Sequence, residues 1–306
     1  MKIACCFGTD PAQAAPWVAD LRAALPGADV QAGDCSGADY AVVWRAPQAF
    51  FDGATRLRAI FAAGAGVDAL LALRLPAGVP VVRLEDAGMG AQMAEYVVQA
   101  VLHRFRGFDR YARQQSVSRW QAHPPESHAD WPIGILGLGT LGVPVARALR
   151  QLGFPVAGWT RTPRTLPDIT CHHGREGLGH LLSGTRVLVD MLPLTPDTRD
   201  LIDGALLGAL RPGAYFINVA RGEHVVEADL LAALDSGRLA GATLDVCRNE
   251  PAGEGHPFWA HPGIVLTPHI AAATLRPQAV RQIADGIGAL ERGDPVPGRV
   301  RPERGY

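Results

Sequence analysis

From Ile133 to Gln151 the chain reads as a buried strand, a tight glycine turn and an amphipathic helix, and this stretch restricts the fold more than any other. Ile133, Ile135 and Leu136 form a short apolar run, Gly137, Gly139 and Gly142 follow in G-x-G-x-x-G spacing, and Val145, Ala148 and Leu149 recur at helical intervals. Gly137 allows the tight turn, Gly139 lets the main chain approach a pyrophosphate, and Gly142 lets helix and strand pack closely. Thr140 and Leu141 complete the turn. Phosphates suit it because the first N–H groups of a helix are free and its dipole is positive there. With 35 glycines in the chain, the spacing alone is weak. Its place between a strand pattern and a helix pattern points to a dinucleotide over an ordinary glycine-rich turn.

At 306 residues the chain is long for one core and comfortable for two domains. Hydrophobic residues make up 48% and charged residues 19%, an ordinary globular balance. A formal net charge of -1 gives no electrostatic case for nucleic acid or an anionic membrane as partner. The N-terminus does not resemble a signal peptide, and no apolar stretch approaches a membrane span. Five scattered cysteines without a C-x-x-C suggest reduced thiols in the cytoplasm, with no metal expected.

Lys2–Phe7, Tyr40–Trp44, Leu57–Phe61 and Val79–Val82 read as buried strands, and Trp17–Leu25 as a helix. The first hundred residues thus form a smaller α/β domain. Met93 to Gln114 reads as one long helix, Trp120 to Trp131 as an exposed polar connector, and His172-His173 as polar loop sequence. Strands restart at Ile133–Leu136, Val156–Trp159, Val187–Met191, Tyr215–Val219, Thr243–Val246 and Ile264–Thr267, as in a doubly wound sheet. Val280–Leu290 reads as a last helix returning the chain to the first domain. The expected division is 1–98 with 279–306 as substrate domain and 99–278 as dinucleotide-binding domain, with a helix and arm over 93–131 for a partner subunit.

In this fold an acid about twenty residues beyond the glycines usually holds the ribose hydroxyls. Here Thr160 stands in that place, followed by Arg161, Thr162, Pro163 and Arg164. A guanidinium takes a 2′-phosphate bidentately where a carboxylate would repel it, so NADP(H) is preferred, with NAD(H) the lesser alternative. The competing reading makes both arginines plain solvated loop charges.

Three polar residues follow strands. They are Arg221 in Asn218-Val-Ala-Arg-Gly222, Glu250 in Asp245-Val-Cys-Arg-Asn-Glu-Pro251, and His269 in Thr267-Pro-His269. Open parallel sheets bind ligands at such carboxyl ends. The set suits hydride transfer to a 2-keto acid. A histidine can protonate the developing alkoxide, a carboxylate orients the imidazole and favours its protonated form, and an arginine forks onto the substrate carboxylate and carbonyl. Taken singly, each is more often a surface charge.

The sequence resembles the D-isomer-specific 2-hydroxyacid dehydrogenases over nearly its whole length. The matching residues are Gly64-Ala-Gly-Val-Asp68, Gly137–Gly142, Leu192-Pro-Leu-Thr195, Asn218–Gly222, Asp229-Leu-Leu-Ala-Ala-Leu234, Leu244-Asp-Val246, Glu250-Pro251 and Thr267–His269. Trp159-Thr-Arg-Thr162, Arg83-Leu-Glu-Asp86, Gly88-Met-Gly90 and the ending Arg304-Gly-Tyr306 resemble its branch that reduces glyoxylate and hydroxypyruvate. The resemblance implies a flavodoxin-like substrate domain beside a Rossmann domain, and a cytoplasmic homodimer that favours NADPH. It implies that Arg221, Glu250 and His269 are catalytic and that Gly66 and Val67 offer N–H groups to the substrate carboxylate. It also implies that Asp245 faces the nicotinamide amide and that Thr140, Leu141, Leu192, Pro193 and Ala220 border the cofactor. Pro163 departs from the pattern, removing an N–H donor from the 2′-phosphate loop. Reduction of larger or branched 2-keto acids, and a non-catalytic regulator sensing NADP(H), are the alternative functions.

Overall fold

The computed structural model describes residues 1–301, 304 and 305, so Tyr306 of the expected ending lies outside the described residues. The chain divides into two compact units, Met1–Met89 with Thr274–Tyr306, and Gly90–Ala273.

Among the described residues of the first unit, β1 (Lys2–Phe7), β2 (Asp29–Ala32), β3 (Tyr40–Trp44), β4 (Ala59–Ala62) and β5 (Val81–Arg83) form a parallel sheet. Its order, β2-β1-β3-β4-β5, is the flavodoxin-like one. Strand β2 went unread in the sequence because only Val30 of its four residues is buried, as befits an edge strand. The helices of this unit are α1 (Ala15–Ala24), α2 (Asp68–Leu71) and, from the far end of the chain, α9 (Arg276–Arg292).

The second unit holds β6 (Ile133–Leu136), β7 (Val156–Thr160), β8 (Thr170–His173), β9 (Val187–Asp190), β10 (Ala214–Asn218), β11 (Leu239–Leu244) and β12 (Ile264–Leu266). All pair in parallel in the order β12-β11-β10-β9-β6-β7-β8, which counted from β6 is the Rossmann order 3-2-1-4-5-6 with one strand added. Its helices are α3 (Met89–Phe105), α4 (Phe108–Ser116), α5 (Gly142–Gln151), α6 (Gly174–Gly184), α7 (Gly204–Ala209) and α8 (Glu227–Asp235).

Side chains alternate across this sheet with the period of two that a strand imposes. Ile133, Ile135, Val187, Val189 and Ile217 enter one core with Val97, Val101 and Phe105 of α3. Leu136, Leu188, Phe216 and Leu244 enter the other, with Leu181, Leu206 and Leu230. Each such fully buried aliphatic side chain contributes about 1.5–3 kcal/mol. The packing of α3 into the first of these cores is why the units part at 89/90, where the sequence suggests 98/99; the second division falls at 273/274, just before α9.

Two sequence expectations need correction. Residues 93–114 are not one helix: Gly107 adopts a left-handed φ of 67°, ending α3 and starting α4. His172-His173 is not loop but the end of β8, an edge strand with no fully buried residue, so the sheet has seven strands and not six. The connector from Trp120 is mostly exposed as expected, although Trp131 itself is buried. Among the described residues no helix is long and apolar enough to cross a membrane.

Candidate active site

Every sequence-predicted site residue of the second unit lies at or beyond the carboxyl end of a strand. Gly137 turns with a φ of +98°, where a Cβ would meet the Met191 carbonyl oxygen at 2.7 Å. At Gly142 a Cβ would lie 2.0 Å from the Gly137 oxygen, so helix α5 can begin there only without a side chain. Gly139 is different: a Cβ there meets nothing within 4 Å. Its openness, the exposed Thr140 beside it, and the N-terminus of the ten-residue α5 make a cradle that fits a pyrophosphate.

The loop after β7 is exposed from Arg161 to Arg164. Thr160 Oγ1 donates to the Thr162 carbonyl at 2.8 Å, which leaves that hydroxyl only as an acceptor. Arg164 Nη1 donates to the Leu138 carbonyl, folding this loop back onto the glycine turn.

Arg221 follows β10, Glu250 follows β11 and His269 follows β12, three neighbouring strands. His269 Nδ1 meets Glu250 Oε2 at 2.7 Å, with side chains 36% and 28% exposed. His269 holds a left-handed φ of 57°, unusual for a side-chain-bearing residue. Its N–H donates to the Asp245 carbonyl at 2.8 Å and to the Thr267 carbonyl at 3.1 Å, which holds that backbone in place. Strain of this kind gathers at functional sites. The Arg221 turn is pressed against the segment leading to Glu250, since a Cβ on Gly222 would lie 1.9 Å from the Cys247 carbonyl carbon. Burial pushes the Glu250 carboxyl up, but the His269 hydrogen bond and charge, the Cys247 N–H and the Arg221 guanidinium outweigh it. The carboxyl is held below its ordinary range, and so stays ionised beside the imidazole.

Sequence reasoning missed the scaffold behind these groups. Asp245 is buried, and its carboxylate accepts from Thr267 Oγ1 at 2.6 Å, Ile270 N at 2.8 Å and Ala271 N at 2.8 Å. Three donors on one carboxylate fix the loop that carries His269. Tyr96 supports it from α3, its hydroxyl 2.6 Å from Thr267 Oγ1. Asn218 braces the Arg221 turn, accepting from Ala220 N at 3.0 Å and donating to the Arg221 carbonyl at 2.9 Å. Leu192 and Ala220 are buried, and Pro193 is half-buried. In the first unit, Gly66 and Val67 follow β4, and the buried Val67 caps the N-terminus of α2.

The family model for the NAD-binding domain of D-isomer-specific 2-hydroxyacid dehydrogenases matches residues 98–271. The chain belongs to the D-isomer-specific 2-hydroxyacid dehydrogenase family. In this dehydrogenase the matched span falls within the second unit, with the glycine turn and all three polar residues. Glyoxylate/hydroxypyruvate reductase A of Klebsiella pneumoniae strain 342 is 47% identical over 299 residues, covering 95% of this chain and 96% of its own. The reductase of that name from Yersinia enterocolitica is 45% identical over 303 residues, covering 96% and 97%. Among solved structures, the D-isomer-specific 2-hydroxyacid dehydrogenase of Xanthobacter autotrophicus Py2, in complex with NADPH and MES, has a TM-score of 0.93 at 43% identity over 99% of each chain. The NADPH-dependent glyoxylate/hydroxypyruvate reductase of Sinorhizobium meliloti, in complex with NADP and sulfate, has a TM-score of 0.93 at 35% identity, covering 100% of this chain and 99% of its own.

Proposed function

We propose that this dehydrogenase uses NADPH to reduce glyoxylate, hydroxypyruvate or a similarly small 2-keto acid to the 2-hydroxy acid, as a cytoplasmic homodimer. The observation that carries the reading is the clustering of Arg221, Glu250 and His269 on three adjacent strand ends of a sheet that also bears the glycine turn. The names and bound nucleotides of its relatives support it. Free thiols at Cys5, Cys6, Cys35, Cys171 and Cys247 suit a reducing compartment. Phe108, Val117 and Trp120, exposed by 53%, 70% and 102%, support an arm that meets a second copy.

The glycine turn, with Thr140 and Leu141, would hold the pyrophosphate, and Arg161, Thr162 and Arg164 the 2′-phosphate, with the Thr160 hydroxyl bracing their loop. Leu192, Pro193, Ala220 and Asp245 would border the nicotinamide. Bound NADPH supplies the hydride that the carbonyl carbon receives. Arg221 forks onto the substrate carboxylate and carbonyl oxygen, and so polarises the carbonyl. Glu250 occupies His269 Nδ1, which leaves Nε2 as the nitrogen that gives its proton to the developing alkoxide. In the reverse direction the same nitrogen takes the proton back.

Steady-state NADPH oxidation with glyoxylate, hydroxypyruvate and a branched 2-keto acid tests the proposal. The two small acids should give the higher kcat/KM; a preference for the branched one would reassign the substrate. A second measurement concerns the nucleotide. Arg161→Ala should weaken NADPH about tenfold or more and leave NADH nearly unchanged, as expected for loss of one charge-assisted phosphate contact. Equal weakening of both would remove Arg161 from the 2′-phosphate site.

A further inference from the structure

Beneath the Arg221 turn lies a titratable pair that plays no part in the reaction just described. His224 Nδ1 and Asp190 Oδ2 are 2.6 Å apart, and both side chains are 0% exposed. The other oxygen of Asp190 accepts from Leu192 N at 3.1 Å. His224 N donates to the Arg221 carbonyl at 3.3 Å, and the His224 carbonyl accepts from Ile202 N at 2.9 Å. One carboxylate therefore ties together two strand exits, the stretch after β9 that begins Leu192-Pro193 and the turn after β10 that carries Arg221. Asp190 is placed for this by register, since it pairs with Leu136 of β6 on one side and Asn218 of β10 on the other.

Stability alone does not account for such a pair. Two charged or polar groups removed from water lose hydration, and an apolar pair of similar volume is often as stable or more so. What a buried hydrogen bond adds is direction, because it is strong only at one distance and angle. Burial by itself would push the His224 imidazole down, yet Asp190 and the Pro193 carbonyl outweigh it and raise it, against the opposing charge of Arg221. The ring nitrogen Nε2 is buried without a hydrogen-bond partner of good geometry. The imidazole thus stands amid the three stretches 190, 193 and 221, with its orientation set by Asp190.

We infer that Asp190 and His224 are a positioning pair, which holds the Arg221 turn in register with the Leu192–Thr195 stretch so that the guanidinium meets the keto acid beside the nicotinamide. This rests on the proposed reductase activity. Neither residue touches substrate; both act through Arg221.

The test compares three replacements of His224 in the full chain. Asn presents an amide N–H where Nδ1 stood and can still bond Asp190, whereas Leu and Gln cannot place a donor there. His224→Leu and His224→Gln should each raise KM for hydroxypyruvate about tenfold or more, the cost of one charge-assisted hydrogen bond. NADPH affinity, measured by nicotinamide fluorescence, should stay at the parental value, and His224→Asn should restore KM to near that of the parent. Should the Leu variant fail to fold, the Gln and Asn variants carry the comparison. Equal KM values across the variants, or a loss of NADPH affinity as large as the rise in KM, would overturn the inference. A parent chain that reduces no 2-keto acid would instead remove the reading beneath it.

Discussion

Replacing His269 with glutamine should lower kcat for keto-acid reduction about a hundred- to ten-thousand-fold, the range typical of a lost general acid. NADPH affinity should be unchanged. Glutamine keeps a polar side chain on the left-handed backbone at 269, and the loop is tied to Asp245 through the main-chain N–H groups of residues 269, 270 and 271, so it has no reason to collapse. Glutamine has no proton to give at neutral pH, and the alkoxide would have to take one from water. Steady-state rates beside a fluorescence titration of NADPH separate the two effects. Equal losses in both would mean that His269 is structural and not the proton donor.

Arg221→Gln should cut kcat/KM for 2-keto acids about a hundred- to a thousand-fold, comparable to loss of a donor that stabilises an oxyanion. The amide can donate one hydrogen bond but cannot fork onto two oxygens, nor does it bring positive charge to the substrate carboxylate. The turn itself should survive, because Asn218 braces it through main-chain groups of Ala220 and Arg221. Glu250 should lose part of what keeps its carboxyl low. An unchanged kcat and KM for hydroxypyruvate would show that the guanidinium does not grip the substrate.

Much of this site was legible because its parts are local in the chain. The fingerprint at 137–142 is bounded by an apolar run and a helical pattern, and the structure gives physical grounds for Gly137 and Gly142, where a side chain would strike main chain. Arg221, Glu250 and His269 each follow an apolar strand run, so their placement beyond the carboxyl ends of the strands follows once the sheet is parallel. Strands β2 and β8 were not legible. Both lie at sheet edges, where partial exposure removes the apolar signal that marked the central strands. The break at Gly107 needed a left-handed backbone that apolar spacing does not report. Least legible was the pairing of Asp190 with His224, 34 residues apart, which exists only because β9 lies beside β10. The one clue was an acid closing the buried run Val187–Val189. Thr160 shows a further limit, since its residue type offers a donor that the fold has already committed to the Thr162 carbonyl.

The central claim, that this chain brings hydride and proton together on a small keto acid, is tested most directly by a single turnover. Protein carrying stoichiometric NADPH is mixed rapidly with hydroxypyruvate, and the nicotinamide absorbance is followed in the parent chain and in His269→Gln. A rapid loss of absorbance in the parent, slowed by the substitution at full nucleotide occupancy, is the predicted result. Persistent absorbance in the parent with hydroxypyruvate, glyoxylate and a branched 2-keto acid alike, while NADPH remains bound, would contradict it and leave a nucleotide sensor in place of a reductase.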